Sequence, residues 1–409
     1  VPAAPDAWIK VLQRYGTMTF GEVASHAMRY AREGFSIHPL LAENIDTHQD
    51  LLRGWPASAE VFLPNEQPLQ TGELIIQRDL AKCIQYMIDE ETAASGQGRE
   101  AALEAARSAF YKGDIAKTIT SYHAQNGGLL TMEDMAEYAS AFEAPVKRSY
   151  KGFGDPIDVY TCGPWCQGPV LLEMLSIIEG AELKEMGYNS GDYVHFLIEA
   201  MKLAFADREA YIGDPRFNDV PIETMVSAEF GRMRSAEIDM AKAYPEMPAP
   251  GQVAGAGAGP AATTAAAAPS RMALDTSYTC AVDKDGNVFS ATPSDGSYGM
   301  PMIPGTGMAP SSRGSQNWAV EGHPCSIAPG KRPRLTPSPA LAMREGKLSM
   351  PFGTPGGDVQ AQAMLQCFLN MEIWGMEAQD AIEAPRFATY SFPNSFEPHS
   401  YEKNILRME

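Results

Sequence analysis

The chain has 409 residues, 44% of them apolar and 20% charged, a composition that can bury a sizeable core. Lys plus Arg number 32 against 51 Asp plus Glu, a net charge of -19 that repels nucleic acid and anionic membranes. No stretch approaches the roughly 18 consecutive apolar residues of a membrane span, so neither nucleic acid nor membrane is expected as a partner.

The first residues, Val1-Pro-Ala-Ala-Pro-Asp, have no initiator Met, basic residue or apolar run, so no signal peptide is read there. Asp6 to Tyr15, Thr19 to Glu33 and Pro39 to Leu52 carry apolar residues at helical spacing. Residues 65–74 read as a polar turn. Helices are expected over Gln77 to Glu91, Arg99 to Tyr111 and Ala116 to Ala124, and Thr131 reads as the cap of another. At Ala144 the character changes. Residues 145–153 and 158–162 read as paired strands, and the loop Gly163-Pro-Trp-Cys-Gln-Gly-Pro leads into a helix over Val170 to Ile178. Asp192 to Tyr211 is a long amphipathic helix whose lone His195 is read as structural. After a polar helix near Ser227 to Lys242, a Gly/Ala/Pro run has too little apolar side chain to repay ordering, so residues 246–275 are expected to be a flexible tether.

The tether delivers the chain to Thr276. Tyr278, Cys280 and Val282 then alternate with Ser277, Thr279 and Ala281; Asp283-Lys-Asp-Gly-Asn supplies a tight turn, and Val288-Phe-Ser-Ala-Thr returns. The result is a β-hairpin whose first strand opens on a hydroxyl. If the Asp275–Thr276 bond is cut, Thr276 gains an α-amine that is a base near neutral pH, on the residue whose Oγ it must deprotonate. Further on, Thr292-Pro-Ser294-Asp295-Gly296 follows the second strand, and Lys331-Arg-Pro-Arg-Leu-Thr336 leads into a strand at Pro339 to Met343. Gly346-Lys turns to Leu348 through Phe352. Gly353-Thr-Pro-Gly356-Gly357-Asp358 joins that strand to a helix over Val359 to Met371, and paired glycines at such a junction let backbone N–H groups approach a ligand. The six cysteines, Cys162 and Cys166 among them, fit no zinc pattern and read as buried free thiols. This tilts the expected location toward the cytoplasm.

Thr276 through Asn287, Pro329 through Pro339 and Gly353 through Asp358 resemble, in order and spacing, the small subunit of the gamma-glutamyltransferase family of N-terminal-nucleophile hydrolases. Tyr15-Gly-Thr-Met, Ala31-Arg-Glu-Gly-Phe and Ala204-Phe-Ala-Asp-Arg-Glu-Ala-Tyr-Ile-Gly-Asp-Pro extend the resemblance upstream. It implies an α+β fold, the four-layer αββα sandwich, with a large-subunit region 1–275 and a small-subunit region 276–409 cut from one precursor between Asp275 and Thr276. It implies Thr276 as nucleophile, Ser294 as the hydroxyl beside it, and the amides of Gly356 and Gly357 as oxyanion hole, with no metal or organic cofactor. Trp165 and Gln167, on a loop that borders the active site in the family, become candidates for substrate contact. A dimer of heterodimers is the assembly the resemblance allows. It further implies that family strands precede Val1 and follow Glu409, which keeps the periplasm open as an alternative location.

The substrate pocket departs from the family. The Asn that grips an α-amino group falls on Gly296, the acidic stretch becomes Ser312-Arg313-Gly-Ser-Gln316 without a carboxylate, and the hydroxyl pair becomes Leu335-Thr336. A pocket that loses its anion and gains Arg313 suits an anionic acid better than an ammonium group. Arg313, Thr336, Asp295 and Gln316 are therefore the substrate-binding candidates. The runs around Trp165, Arg313 and Gly356 resemble the branch that includes oxamate amidohydrolase. An amidohydrolase acting on a small acidic amide is the expected activity, and a gamma-glutamyltransferase or glutathione hydrolase the alternative.

Overall fold

Local signals place most elements where their residues direct them. The computed structural model describes residues 1–151, 155–259, 276–295 and 299–409, which divide into two compact units. The first comprises Val1–Phe142 with Gly296–Ser312 and is largely helical. Its helix Phe20–Glu33 starts at a capping box in which the Thr19 side chain accepts from Glu22 N and the Glu22 carboxylate accepts from Thr19 N. Glu91, on the helix Arg78–Ala94, accepts from Phe20 N at 2.7 Å and Gly21 N at 2.8 Å, adding a carboxylate where the helix dipole favours one. The stretch read as one helix from Pro39 divides into Pro39–Thr47 and Gln49–Arg53 about His48.

The second unit, Glu143–Asp295 with Arg313–Glu409, carries the site. Its antiparallel four-stranded sheet runs in the order Val146–Tyr150, Ile157–Thr161, Ala340–Arg344, Lys347–Phe352. The two central strands come from opposite sides of Thr276 in sequence and pair directly, Thr161 with Ala340 through Asp158 with Met343. Helix Gly168–Ile178, buried along its whole length, packs with Gly191–Tyr211 and Val359–Glu372. Gly168 permits the close approach at its start, since a Cβ there would lie 2.2 Å from Thr161 Oγ1. A short pair, Phe387–Thr389 with Leu406–Met408, was not read from the sequence.

The expected tether is fixed over its described part. Gly251 N donates to Asp207 Oδ1 at 2.5 Å, Tyr211 Oη donates to Gly251 O, the Arg234 guanidinium donates to Ala249 O, and Gly259 N donates to Ala210 O. Composition was right that few apolar side chains are available. Buried polar groups of the helix Gly191–Tyr211 and of Arg234 hold the backbone instead. Residues 260–275, Asp275 among them, lie outside the described residues.

Candidate active site

The hairpin forms as its alternation and turn require. Thr279–Val282 pairs with Val288–Ala291, Asp283 Oδ1 accepts from the amides of Asp285 and Asn287, and Gly286 takes the positive φ (83°) of the turn. Pairing continues past the strand ends: Ser277 N donates to Pro293 O at 2.9 Å, and Thr276 and Ser294 form a bridge. Their hydroxyls meet, Thr276 Oγ1 and Ser294 Oγ lying 2.6 Å apart. Both residues are half-buried, as is Asp295 beside them.

Ser294 is held from a second side. The Arg313 guanidinium donates through Nη2 to Ser294 Oγ, and through Nη1 to Thr336 Oγ1 and Gln316 Oε1, each at 3.2 Å. Arg313 rides on one turn of 3₁₀ helix, Ser312–Gln316, and its charge sits 5.4 Å from the Phe396 ring centroid. Thr336 and Gln316 are buried, so Thr336 Oγ1 and Gln316 Oε1 face the guanidinium rather than water. Thr276, Ser294, Arg313, Thr336 and Gln316 thus form one hydrogen-bonded group. Gly296 lies outside the described residues.

Tyr278, two residues after Thr276, packs on the turn that follows the sheet. A Cβ on Gly353 would lie 2.4 Å from the Tyr278 ring, so this glycine admits the ring. Gly356 and Gly357 then adopt φ of 123° and 58°. Among the described residues neither amide donates a hydrogen bond, while the carbonyls of both accept from the first turn of the helix Val359–Glu372.

Gln167 is fully buried and is spent on this turn. Its Nε2 donates to Gly357 O at 2.8 Å and to Thr336 O at 2.9 Å, while its Oε1 accepts from Arg208 Nη1 at 3.0 Å. The expectation that Gln167 contacts substrate is corrected: the side chain is fully buried and both of its N–H groups are taken by backbone carbonyls. Arg208 also donates to Asp358 Oδ1 at 2.5 Å, Glu209 Oε1 at 2.8 Å and Pro393 O at 2.9 Å. Asp358 in turn accepts from Ser395 N and Oγ. The role of Arg208 in fixing the Gly-Gly turn is not legible in the sequence; the run of three consecutive charges, Asp207-Arg208-Glu209, near the end of the helix Gly191–Tyr211 is the available signal. His195, read as structural, has its Nε2 2.9 Å from Asp239 O. Cys162 and Cys166, read as free thiols, are bonded to each other as a disulfide, closing the loop that precedes Gln167. Among the described residues no group of His, Cys, Asp and Glu is placed to hold a metal, and no helix is long and apolar enough to cross a membrane.

Glu209 ties this network to pH. Burial alone would raise its carboxyl, but Arg334 and Arg208 outweigh burial and hold it well below the usual carboxylate range. A carboxyl lowered on folding contributes stability that is complete above its unfolded value of about 4.3 and is lost as pH falls toward the folded value. The melting midpoint is therefore expected to fall as pH drops below about 4. Melting curves of wild type and Glu209→Gln test this: the variant starts lower at pH 7 and shows a shallower decline in acid.

Comparison with known proteins gives the following. The profile described as Gamma-glutamyltranspeptidase matches residues 1–408. The "Acylase ACY 1 proenzyme" of Pseudomonas sp. (strain SE83) is 33% identical over 395 residues, covering 95% of this chain and 64% of the acylase. The "Glutathione hydrolase-like YwrD proenzyme" of Bacillus subtilis is 30% identical over 389 residues, 95% of this chain and 66% of that protein. The crystal structure of cephalosporin acylase from Bacillus halodurans superposes with a TM-score of 0.78 at 28% identity, over 95% of this chain and 66% of that one. The chain thus spans just under two thirds of the length of these relatives and shares their α+β fold.

Proposed function

Because the chain belongs to the gamma-glutamyltranspeptidase family, we propose that it acts as a self-processing amidohydrolase with Thr276 as nucleophile. The 2.6 Å contact between Thr276 Oγ1 and Ser294 Oγ, at the head of the hairpin, carries this reading. In the precursor, Thr276 Oγ adds to the Asp275 carbonyl, the C–N bond breaks as its proton passes to the Thr276 nitrogen, and water hydrolyses the resulting ester. The freed α-amine then serves as base when Oγ attacks a substrate amide. The Gly356 and Gly357 amides, which donate no hydrogen bond among the described residues, hold the oxyanion; water resolves the acyl-enzyme. The two pieces stay joined because the central strands of the four-stranded sheet come one from each side of the cut.

The substrate class is a small amide of an acid, oxamate-like, with Arg313 and Asp295 lining its place. Support comes from a guanidinium one side chain away from the nucleophile. The test is ammonia or amine release from oxamate, other small acidic amides and cephalosporin-type acyl amides, beside turnover of a gamma-glutamyl anilide with and without a dipeptide acceptor. Release from the acidic amides without an acceptor is expected. Anilide turnover stimulated by the acceptor would replace this reading with the gamma-glutamyltransferase one.

Gly356 gives a further check. Its φ of 123° strains any side chain by about 1–3 kcal/mol, although a Cβ would meet only Val359 Cβ, at 3.5 Å. Gly356→Ala is expected to misaim the amide and lower kcat by roughly 10²-fold or more, with a much smaller change in melting midpoint.

A further inference from the structure

We propose that Arg313, beyond any contact with substrate, is a positioning residue for the nucleophile, acting on Thr276 through Ser294. This rests on the reading of Thr276 as nucleophile.

The guanidinium is permanently charged and donates to Ser294 Oγ, which lies 2.6 Å from Thr276 Oγ1. Thr336 and Gln316 fix its other nitrogen, each at 3.2 Å, and the Phe396 ring lies against its face. Arg313 is only 9% exposed, so its charge is screened far less than that of a surface arginine. A hydroxyl that accepts from a cation becomes a stronger donor through its own proton. Ser294 O–H, polarised in this way, stabilises negative charge developing on Thr276 Oγ as the proton leaves.

A residue that served only a substrate carboxylate would have no part in self-cleavage, which involves no such substrate. Arg313 acting through Ser294 contributes to both reactions. The pair should also behave as one unit: once Ser294 loses its hydroxyl, removing the guanidinium has little left to change.

The experiment compares Arg313→Met, Arg313→Lys, Ser294→Ala and the Arg313→Met/Ser294→Ala double variant in the precursor. It measures the self-cleavage rate by intact mass, and kcat and KM on a small acidic amide. Arg313→Met is expected to slow self-cleavage and lower kcat by about 10–100-fold. In the Ser294→Ala background it should add less than about threefold. Arg313→Lys, which keeps the charge but loses the fork, should restore part of kcat and of the self-cleavage rate, a rescue that a merely structural role would not produce. The proposal is overturned if Arg313→Met splits at the wild-type rate and raises only KM, or if the two single effects multiply fully. A wild type that neither splits nor hydrolyses any amide would overturn this inference together with the reading beneath it, whereas normal splitting of Arg313→Met in an active enzyme would overturn the inference alone.

Discussion

Thr276→Ala is expected to lower amide hydrolysis by a factor on the order of 10⁵ to 10⁶, the loss typical of removing a covalent nucleophile. Ala keeps the backbone and the Ser277-to-Pro293 pairing but removes the oxygen that meets Ser294 Oγ. Ser294 then has no Oγ to orient, and the α-amine, even if freed by an added protease, has no proton to take. Thr276→Ser is the control: it returns the hydroxyl without the methyl, and most of the turnover should return with it. Single-turnover amine release by the three proteins separates the cases. A Thr276→Ala protein within tenfold of wild type would place the nucleophile elsewhere.

The largest stability effect is expected at Arg208. This fully buried guanidinium joins Gln167, Asp358, Glu209 and the Pro393 carbonyl. Arg208→Leu fills much of the volume but leaves two buried carboxylates short of a cation, a change that costs about 3–5 kcal/mol. At a few degrees per kcal/mol, the melting midpoint should drop by roughly 10 °C. Glu209 retains Arg334 at 2.6 Å, whereas Asp358 keeps, among the described residues, the neutral donors of Ser395 and so accounts for most of the loss. Activity should fall as well, because Gln167 loses the contact that aims its Nε2 at Gly357 O. Differential scanning calorimetry of wild type and Arg208→Leu checks the first effect; a drop below about 2 °C would show that the carboxylates find water or protonate at little cost.

The hairpin could be read directly because its determinants are local. Alternation of side chains, an Asp that accepts from the amides following it, and a glycine at positive φ all lie within 15 residues of Thr276. The cap at Thr131 was legible for the same reason. Non-local features were not. Gln167 reads as a polar loop residue until the fold brings it against Thr336 and Gly357, 169 and 190 residues away. The pairing of Phe387–Thr389 with Leu406–Met408 is too short to show a period of two and exists only through its partner. Composition suggested freedom for the whole tether, yet through Gly259 buried polar groups from distant helices fix it. Arg313 was visible as a charge in a stretch where the family has acids, whereas its bond to Ser294 belongs to the fold alone.

The measurement that bears most directly on the central claim is the intact mass of the purified precursor, with Thr276→Ala alongside. The account predicts that the wild type separates into two pieces, the second beginning at Thr276, and that Thr276→Ala remains one chain. A wild type that stays whole would leave Thr276 without a free amine and contradict the mechanism; a Thr276→Ala protein that splits at the same bond would show that the cut is not the work of this residue.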